Sequence, residues 1–408
     1  MLRPWATPDL LKVLTLSTLY PDATRPRFGP FVERQTRELA AHPDVELQVV
    51  SPVGLPPWPL TRHPRYQGLA ALPAREEWLG VTVHRPRFLH VPRTAGRFDA
   101  GAMARVLIPV LGALRRDFAF DIIDAEFFFP EGPAAVALGR HFGVPVSIKA
   151  RGSDIHLWGR TRATAVQIRN AGCEADGLLA VSPALKADMV ALGMPESRID
   201  VHFTGVDKAV FGRTDRASAR TSLGIAGPLV LSVGNLIERK GHAIVIEALA
   251  QLPYATLAIA GEGPDHARMV ALAHSVGVAD RIRWLGSLDH DRLAQWLAAA
   301  DVMALATVSE GLANVWVEAL ASGTPVVTTA TGGAPEVIRS AAAGRLVDRT
   351  AAAFSAAIIE LLESPPAPEA VKREAERFDW TVNRDALYAH LARLVSARSP
   401  RNVSDRRP

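Results

Sequence analysis

The chain of 408 residues contains 48% apolar and 22% charged residues and carries a formal net charge of +4. This composition supplies a packed core and excludes wholesale disorder, and the length favours two domains. A single cysteine, Cys173, excludes a disulfide scaffold and a cysteine-built zinc site. Because the chain has no apolar run of about eighteen residues and no apolar leader, we expect a soluble cytoplasmic protein.

Short strands that are apolar on both faces alternate with helices, which predicts parallel sheets covered by helices. In the first half we predict strands at 11–17, 45–50, 121–124, 144–149 and 177–181, and helices at 31–41, 131–142 and 183–192. In the second half we predict strands at 229–233, 256–260, 282–285, 302–305 and 325–328. The helices of this half are predicted at 241–251, from beyond residue 260 through Gly277, and at 291–299, 312–322 and near 335–340. An amphipathic helix is expected at 382–395.

Two such series predict two doubly wound α/β domains, whose ligands bind beyond the carboxyl ends of the strands and therefore in a cleft between the domains. The predicted boundaries are an N-terminal domain at 1–205, a C-terminal domain at 206–380, a helix at 381–398 that crosses back to the N-terminal domain, and a disordered tail at 399–408.

Arginines far outnumber acidic residues between Arg62 and Arg116, and aromatic residues lie among them. Such a segment suits nucleic acid, an anionic membrane surface or an acidic substrate. The alternative is a solvated loop face in an arginine-rich protein. Since no nucleic-acid-binding module accompanies the segment, we expect no nucleic acid partner and keep the anionic membrane surface.

The sequence SEGLANVWVE at 309–318 follows a predicted strand and opens a helix. The N–H groups of Gly311 to Val315 are then first-turn donors, which form an anion site. Glu310 and Glu318 should lie about 12 Å apart along the helix axis, enough to span a sugar, a diphosphate and a ribose. Taken singly, Glu310 could be a carboxylate favoured by the helix dipole, and Glu318 an exposed helix residue.

Two further loops follow strands. In VGNLIERKG at 233–241, Lys240 can neutralise a leaving diphosphate, although a solvated Lys-Arg pair is the alternative. In the loop at 20–32, Gly29 permits a close backbone approach, although a Pro/Gly turn accounts for it equally.

Metal-binding and other catalytic motifs are weak or missing. Asp289 and Asp291 have the spacing of a metal-binding carboxylate pair, but we favour a helix cap at this position. The chain has no HExxH, GxSxG or P-loop motif, and no GxGxxG fingerprint. We therefore predict no bound metal.

Taken together, these motifs resemble the family 4 retaining glycosyltransferases over most of residues 11–395. The resemblance rests on the E-x7-E element of Glu310 and Glu318, on VGNLIERKG, on GEGP at 261–264, on GGAPEV at 332–337 and on the segment 181–207. It implies the GT-B fold, with two Rossmann-like domains facing a central cleft. It also implies retaining transfer of a hexosyl group from a nucleotide-sugar to an acceptor hydroxyl, without a metal and without a cofactor other than that co-substrate.

The resemblance also implies roles for single residues. Glu318 would hold the ribose hydroxyls, Glu310 the hydroxyls of the donor sugar, and Lys240 the departing diphosphate. Gly29 would let its loop approach the β-phosphate. The implied donor-binding set is Gly29, Asn235, Arg239, Lys240, Glu310, Gly311, Leu312, Asn314, Val315 and Glu318.

The sequence departs from the family pattern at two positions. Asn235 stands where the family usually has arginine, and Arg239 could compensate. Glu126 or Asp124 stands where many members have histidine, so acceptor activation differs. We name Glu310, Lys240, Glu126 and Arg151 as catalytic candidates. Asp154 is an acceptor-side candidate, with capping of the next helix as the alternative for the Arg151–Asp154 loop.

The expected acceptor is a sugar or lipid-linked glycan in the synthesis of cell-surface polysaccharide, lipopolysaccharide or glycolipid. The enzyme would then be cytoplasmic and associate with the inner face of the membrane. Two rivals remain: a GT-B epimerase or phosphorylase, and a non-catalytic subunit that binds nucleotide-sugars.

Overall fold

A computed structural model describes residues 10–26 and 28–398. The chain forms two compact units. Unit 1 runs through Phe203 and takes up the chain again from Thr381, and unit 2 covers Thr204–Trp380. The disordered tail predicted at 399–408 lies outside the described residues.

Unit 1 is built on an eight-stranded sheet in the order β10-β9-β8-β7-β1-β2-β5-β4. All neighbouring strands are parallel except β4 and β5. A separate parallel pair joins β3 and β6. The strands are β1 (Leu11–Leu16), β2 (Val45–Val50), β3 (Val53–Leu55), β4 (Arg75–Trp78), β5 (Val81–His84), β6 (Arg87–Leu89), β7 (Ile122–Ala125), β8 (Val146–Ala150), β9 (Gly177–Ala180) and β10 (Ile199–Val201).

The helices of unit 1 cover both faces of this sheet, as buried parallel strands require. They are α1 (Pro30–Ala40), α2 (Pro64–Ala71), α3 (Asp99–Leu114), α4 (Glu131–Phe142), α5 (Ser153–His156), α6 (Ala165–Glu174) and α7 (Pro183–Ala191). The C-terminal helix of the described chain, Trp380–Arg398, packs Leu387, Leu391 and Leu394 against the sheet. This spacing of four and three residues gives the helix one apolar face.

Unit 2 has a six-stranded, fully parallel sheet in the order β13-β12-β11-β14-β15-β16. The strands are β11 (Leu229–Val233), β12 (Thr256–Ala260), β13 (Ile282–Gly286), β14 (Val302–Leu305), β15 (Val326–Thr328) and β16 (Gly344–Leu346). The helices are α8 (Lys208–Phe211), α9 (Arg216–Leu223), α10 (His242–Leu249), α11 (His266–Ser275), α12 (His290–Ala299), α13 (Asn314–Ala321), α14 (Ala334–Val337), α15 (Ala351–Glu363) and α16 (Pro368–Glu374); the helix from Trp380 is α17.

Each sheet has a point where the strand order reverses, and ligands of doubly wound sheets bind there. In unit 1 this point lies between β1 and β7, and in unit 2 between β11 and β14. A ligand site is therefore expected among the residues that follow these four strands.

The structure confirms the predicted strands at 45–50, 229–233, 256–260 and 302–305 with the same bounds. It adds elements where the sequence suggested none, since residues 53–114 contain β3 to β6, α2 and α3. The helix predicted from Leu312 is wrong at its start, because α13 begins at Asn314. Within the described ranges, no helix is both long and apolar enough to cross a bilayer.

Candidate functional site

The loops that follow β11 and β14 meet at the switch point of unit 2. Gly241 has φ +71°, and a Cβ there would lie 2.0 Å from the carbonyl oxygen of Ala306. The Val308 N–H donates to the carbonyl of Arg239 over 3.1 Å. Glycine is therefore required at 241, because only a residue without a side chain lets the two backbones approach this closely. The contact holds Arg239 and Lys240 against the loop that contains Glu310.

Glu310 is the centre of a half-buried cluster of charged groups. Its Oε1 lies 2.6 Å from Lys240 Nζ, and Thr307 donates its hydroxyl to the same oxygen over 2.9 Å. Arg239 Nη1 is 3.3 Å from that oxygen and also donates to the carbonyl of Ser309. Two cations around one carboxylate leave a net positive charge, which favours an anionic ligand. The structure thus brings together three of the predicted donor-side residues.

A run of backbone donors lies directly after Glu310. The N–H groups of Leu312, Ala313, Asn314 and Val315 have no hydrogen-bond partner among the described residues, and the Trp316 N–H closes the first turn onto the Ala313 carbonyl at 3.1 Å. Free N–H groups at a helix N-terminus bind anions through hydrogen bonds and the helix dipole. This run lies beside Lys240 and Arg239 in the same loop cluster.

The glycine pair at 332–333 explains why α13 begins late. Gly332 has φ +52°, and a Cβ there would lie 1.9 Å from the carbonyl oxygen of Glu310. The Gly333 N–H donates to the Gly311 carbonyl over 2.8 Å. These contacts draw residues 310–313 out of the helix, and Ala313 is extended with φ −76° and ψ 115°. The predicted axial distance between Glu310 and Glu318 therefore does not apply, because Glu310 is not on the helix.

Glu318 lies on α13 and is half-buried. Its carboxylate has no hydrogen-bond partner among the described residues. Burial raises its pKa to about 7. A desolvated carboxyl group without a partner is costly unless a ligand supplies hydrogen-bond donors. Glu318 is therefore not the exposed helix residue considered as the alternative.

The loop after β11 also holds Asn235 and ends at His242. Asn235 is exposed, and no partner for its side chain is found in the described parts of the chain. His242 is fully buried with its Nδ1 2.9 Å from Ser232 Oγ, and burial, with Lys240 as a second cause, lowers its pKa to about 4. A neutral imidazole next to Lys240 adds no charge to the cluster. His242 was not singled out in the sequence, because a histidine after glycine carries no motif.

A pocket of about 290 Å³ opens beside these loops, at the carboxyl ends of β12 and β13. His266 and Trp284 meet edge to face at 4.8 Å between ring centroids. Glycine at 263 allows the backbone at the base of the pocket to pack against Leu236, since a Cβ there would lie 2.3 Å from the Leu236 carbonyl oxygen. The lining residues are Leu236, Gly261, Glu262, Gly263, His266, Trp284 and Gly286. An aromatic-lined recess of this kind accepts a flat ring.

In unit 1, Glu126 and Arg151 follow the neighbouring strands β7 and β8. Arg151 pairs with the Glu126 carboxylate, and its Nε donates to the Glu126 carbonyl over 2.9 Å. Gln35 of α1 donates its amide to the other Glu126 oxygen. Glu126 is 1% exposed, and the Arg151 guanidinium lies 4.8 Å from the Phe31 ring centroid. The structure therefore joins these two candidates in one buried pair.

This pair belongs to a larger buried network that the sequence analysis missed. Lys149 Nζ donates to Gln35 Oε1 over 2.5 Å and lies 2.6 Å from His202 Nδ1. Burial lowers the pKa of Lys149 to about 7, and burial, with Glu126 as a second cause, raises the pKa of Asp124. The feature of the sequence that could have indicated this network is a lysine inside the otherwise apolar strand VSIKA at 146–150.

Asp154 and Gly29 have structural roles in the fold. Asp154 is fully buried and accepts from the N–H groups of Phe128, Arg151, Gly152 and Ile155 at 2.8–3.2 Å. Its carboxylate therefore holds the loop between β8 and α5 against the residues after β7, whereas the N-cap residue of α5 is Gly152, without a side-chain cap. Gly29 has φ +64°, and a Cβ there would lie 1.7 Å from the Leu19 carbonyl oxygen, so the loop itself requires glycine.

Asp289 caps α12, because its carboxylate accepts from the Arg292 N–H at 2.8 Å. Asp291 lies 3.3 Å from Arg213. This confirms the predicted helix cap at Asp289. In the part of the chain that the structure describes, no group of three or more His, Cys, Asp or Glu side chains could hold a metal ion.

Two family models match the chain. Residues 28–205 match the glycosyl transferase 4-like domain, and residues 215–378 match glycosyl transferases group 1. The D-inositol 3-phosphate glycosyltransferase of Mycolicibacterium smegmatis is 35% identical over 248 residues, which are 57% of this chain and 57% of the relative. The Mycobacterium tuberculosis protein of the same name is 35% identical over 54% of this chain and 49% of its own length. The chain thus spans about half the length of the curated relatives it matches.

Solved structures share the fold at low identity. Sucrose-phosphate synthase of Thermosynechococcus elongatus aligns with a TM-score of 0.74 and 20% identity over 95% of this chain and 100% of its own. The Anabaena protein HepE in complex with UDP aligns with a TM-score of 0.72 and 19% identity over 94% and 100%. Because one family model accounts for each unit and these proteins share the fold, the chain belongs to the group 1, family 4-type glycosyltransferases of the GT-B fold.

Proposed function

We propose that the chain is a retaining glycosyltransferase that moves a hexosyl group from a nucleoside diphosphate sugar to an acceptor hydroxyl. The observation that carries this proposal is the contact of Lys240 and Glu310 at 2.6 Å, next to the free N–H groups that start at Leu312. A cation and a row of N–H donors suit the diphosphate. A carboxylate beside them suits the hydroxyls of the sugar.

Each donor-side residue then has one role. Lys240 stabilises the negative charge that develops on the leaving diphosphate, and the N–H groups of Asn314 and Val315 bind its oxygens. The family usually has arginine at the position of Asn235. Arg239 supplies this second cation instead, because its guanidinium lies 3.3 Å from Glu310. Glu310 holds the donor sugar, and Glu318 accepts hydrogen bonds from the ribose hydroxyls. Gly29 lets its loop approach the β-phosphate.

The pocket lined by His266 and Trp284 would take the nucleobase, since its aromatic walls fit a flat ring and it adjoins the donor loops. The UDP in the Anabaena HepE structure supports a uridine nucleotide as the first donor to test.

The proposed reaction proceeds on one face of the sugar. The anomeric bond to the diphosphate breaks while the acceptor oxygen attacks from the same side, and a diphosphate oxygen takes the acceptor proton. Charge on the leaving group is neutralised by Lys240, Arg239 and backbone N–H groups, so we propose that no divalent metal is required.

The acceptor side belongs to unit 1. Glu126 and Arg151, at the carboxyl ends of β7 and β8, are the residues proposed to meet the acceptor when they leave their mutual ion pair. A sugar or lipid-linked glycan at the inner face of the cytoplasmic membrane remains the proposed acceptor class. The names of the mycobacterial relatives support a phosphorylated cyclic polyol as the other acceptor to test.

The test offers labelled UDP-, GDP- and ADP-hexoses to the full chain, with D-inositol 3-phosphate or a lipopolysaccharide-type oligosaccharide as acceptor. We expect a glycoside whose anomeric configuration, measured by NMR, equals that of the donor, together with free nucleoside diphosphate. Inverted product, free hexose 1-phosphate or an epimerised donor would contradict the proposal. Activity that EDTA abolishes and Mg²⁺ or Mn²⁺ alone restores would contradict the metal-free mechanism.

The matched variants are Glu310→Ala and Glu363→Ala. Glu363 is an exposed carboxylate at the end of α15. Transfer should be lost in the first and unchanged in the second. Near-normal turnover of the Glu310→Ala variant would show that Glu310 is not part of the active site.

A further inference from the structure

The β3–β6 pair extends the sheet of unit 1 beyond the carboxyl ends of β2 and β5. The Ser51 N–H donates to the His84 carbonyl at 2.8 Å, and the Val53 N–H to the Pro86 carbonyl at 2.8 Å. Leu55 is paired with Leu89, and the His90 N–H donates to the Leu55 carbonyl at 2.8 Å. Because the two strands are parallel, the loops 56–63 and 90–98 leave the same end of the pair.

These two loops expose large apolar side chains. Trp58 is 73% exposed, Leu60 50% and Phe98 54%. Helix α2, which follows the first loop, has no buried residue. Single exposed apolar residues are common, but an exposed tryptophan and phenylalanine on adjoining loops are typical of a binding surface.

Four exposed arginines lie on or directly after the same loops: Arg62, Arg65, Arg93 and Arg97. None forms an ion pair with a carboxylate in the described chain, and the segments 56–75 and 85–98 contain no acidic residue. Arg62 lies 5.8 Å from the Trp58 ring centroid, and Arg97 5.8 Å from that of Phe98. We call these four arginines with Trp58, Leu60 and Phe98 the arginine–aromatic surface.

Two other arginines of this part of the sequence, Arg85 and Arg87, are held by contacts within the fold. Arg85 is 1% exposed and donates to Glu76, Ser51 and the Pro21 carbonyl. Arg87 donates to the carbonyls of Arg85 and Leu72. Four of the seven exposed arginines between Arg62 and Arg116 therefore lie at the two loops, and Arg75, Arg105 and Arg116 are exposed elsewhere in unit 1.

The surface lies at the acceptor edge of unit 1. A Cβ at Gly96 would lie 2.8 Å from the ring of Phe129, which follows β7, and 3.2 Å from that of Trp158, which follows β8. A Cβ at Gly68 of α2 would lie 2.9 Å from Thr24, which follows β1. The loops next to Glu126 and Arg151 thus support the loops that carry the exposed arginines.

We propose that the arginine–aromatic surface docks unit 1 on the anionic headgroups of a lipid bilayer. Arginines attract a negatively charged membrane surface, and tryptophan and phenylalanine insert at the headgroup level. A bilayer fits better than a nucleic acid because the aliphatic Leu60 and the prolines around Trp58 offer neither stacking nor hydrogen bonds to bases. This proposal rests on the proposed function in one respect: docking would bring a lipid-linked acceptor to the sheet edge of unit 1 that holds Glu126.

The test is cosedimentation of the full chain with vesicles of phosphatidylcholine alone and of an equal mixture with phosphatidylglycerol. We expect binding to the mixed vesicles at low salt and its loss as the salt concentration rises, since screening weakens the attraction. Equal binding to both kinds of vesicle, or binding that salt leaves unchanged, would overturn the proposal. So would a preference for duplex DNA over the mixed vesicles at the same salt concentration.

Variants locate the surface. Replacing Arg62, Arg65, Arg93 and Arg97 by serine should lower the partition coefficient about tenfold or more, because each arginine near the membrane contributes. The matched control replaces four exposed arginines of unit 2 by serine: Arg213, Arg268, Arg292 and Arg373. W58S/L60S/F98S should also weaken binding, whereas Tyr254→Ser, an exposed aromatic of unit 2, should not. Equal loss in test and control variants would overturn the assignment.

Two readouts separate this proposal from the proposed function. Vesicle binding is measured without donor, so it can succeed or fail whether or not transfer occurs. Transfer to a soluble acceptor should stay unchanged in the surface variants, which also verifies that they are folded. A surface variant that loses soluble transfer but keeps vesicle binding would contradict docking through these loops.

Discussion

The carboxyl edges of the two sheets hold their charged groups in opposite ways. In unit 2, Lys240 and Glu310 have side chains that are 14% and 11% exposed, and the N–H groups of Leu312 to Val315 have no partner among the described residues. In unit 1, the side chains of Arg151 and Glu126 are 5% and 1% exposed, and Lys149 is fully buried. Both edges are switch points of parallel sheets, so the fold alone does not explain the contrast.

The contrast teaches that charge at a switch point serves either the ligand or the fold. The unit 2 cluster keeps hydrogen-bonding capacity unused, which is the property of a binding site. In the unit 1 network, hydrogen bonds join Glu126 and Lys149 to α1, β8 and the residues after β10, as in a buried polar core, although both carboxyl oxygens of Asp124 lack a partner among the described residues. Substitutions in the unit 2 cluster should therefore change donor binding and transfer with little loss of stability. Substitutions in the unit 1 network should lower stability, in addition to any effect of Glu126 and Arg151 on the acceptor.

The largest effect is expected at Lys240. Lys240→Met removes the cation that lies 2.6 Å from Glu310 and should lower kcat about 100- to 1000-fold, because charge on the leaving diphosphate is then poorly stabilised. The unfolding free energy should hardly change. Lys372→Met on α16 is the control, since Lys372 pairs with Glu369 of the same helix. Steady-state kinetics and urea denaturation of both variants test this prediction. An equal kcat in the two variants would contradict the role of Lys240 in stabilising the leaving diphosphate.

The complementary change in unit 1 is Lys149→Met. It leaves the buried carboxylates Asp124 and Glu126 without a neighbouring amine and should lower the unfolding free energy by about 2–3 kcal/mol. Binding of UDP to the folded variant should be unchanged, because all proposed donor residues except Gly29 belong to unit 2. Lys186→Met on α7 is the surface control, 3.7 Å from Glu196. Weaker UDP binding without loss of stability would invert the contrast between the units.

A smaller effect with a pH signature is expected at Glu131, which is fully buried and accepts from the Thr18 N–H and hydroxyl at 2.7 and 2.6 Å. Burial raises its pKa from 4.5 to about 7. The folded state therefore binds more protons than the unfolded state between these pH values, and stability falls as the pH rises through that window.

Glu131→Gln keeps an acceptor oxygen for Thr18 but cannot ionise. We expect it to match the parent protein near pH 5 and to be more stable by about 1–3 kcal/mol at pH 8, measured by urea denaturation. Glu174→Gln, at a surface pair with Arg140, should show no such trend. A difference between parent and Glu131→Gln that is the same at both pH values would show that Glu131 does not titrate in this range.

The local sequence predicts most strands of the two main sheets but not the contacts between distant segments. Apolar runs at 229–233 and 302–305 define strands by themselves, because a buried parallel strand is apolar on both faces. The start of α13 could not be predicted in this way. Leu312 and Ala313 favour a helix locally, but the Gly333 N–H binds the Gly311 carbonyl from a turn far along the chain.

Contacts between distant segments also explain why the site residues of unit 2 were predictable from the sequence and those of unit 1 were not. Lys240 and Glu310 were predictable as site residues because each lies in a loop directly after a strand at the switch point, where ligands bind. The partners of Glu126 were not predictable. Gln35 and Arg151 reach it from α1 and from the end of β8, and no local pattern links a helix glutamine to those strands.

The smallest effect distinguishes a ligand-ready carboxyl from a buried structural one. Burial raises the pKa of Glu318 to about 7, as it does for Glu131, but no described residue donates to the Glu318 carboxylate. If ribose hydroxyls are its donors, the bound form is ionised, so binding below pH 7 must first remove a proton. The affinity for UDP should then rise up to about tenfold per pH unit from pH 6 to 7 and level off above.

The nucleotide itself titrates near this range, so the informative quantity is the ratio of the UDP dissociation constants of Glu318→Gln and the parent protein at each pH. The titration of UDP cancels in that ratio. We expect the ratio to rise between pH 6 and 7 by up to about tenfold and then stay constant, measured by calorimetry. A ratio that does not depend on pH would mean that the Glu318 carboxylate does not accept from the ribose. The unit 2 edge would then have one buried carboxyl of the kind found in unit 1.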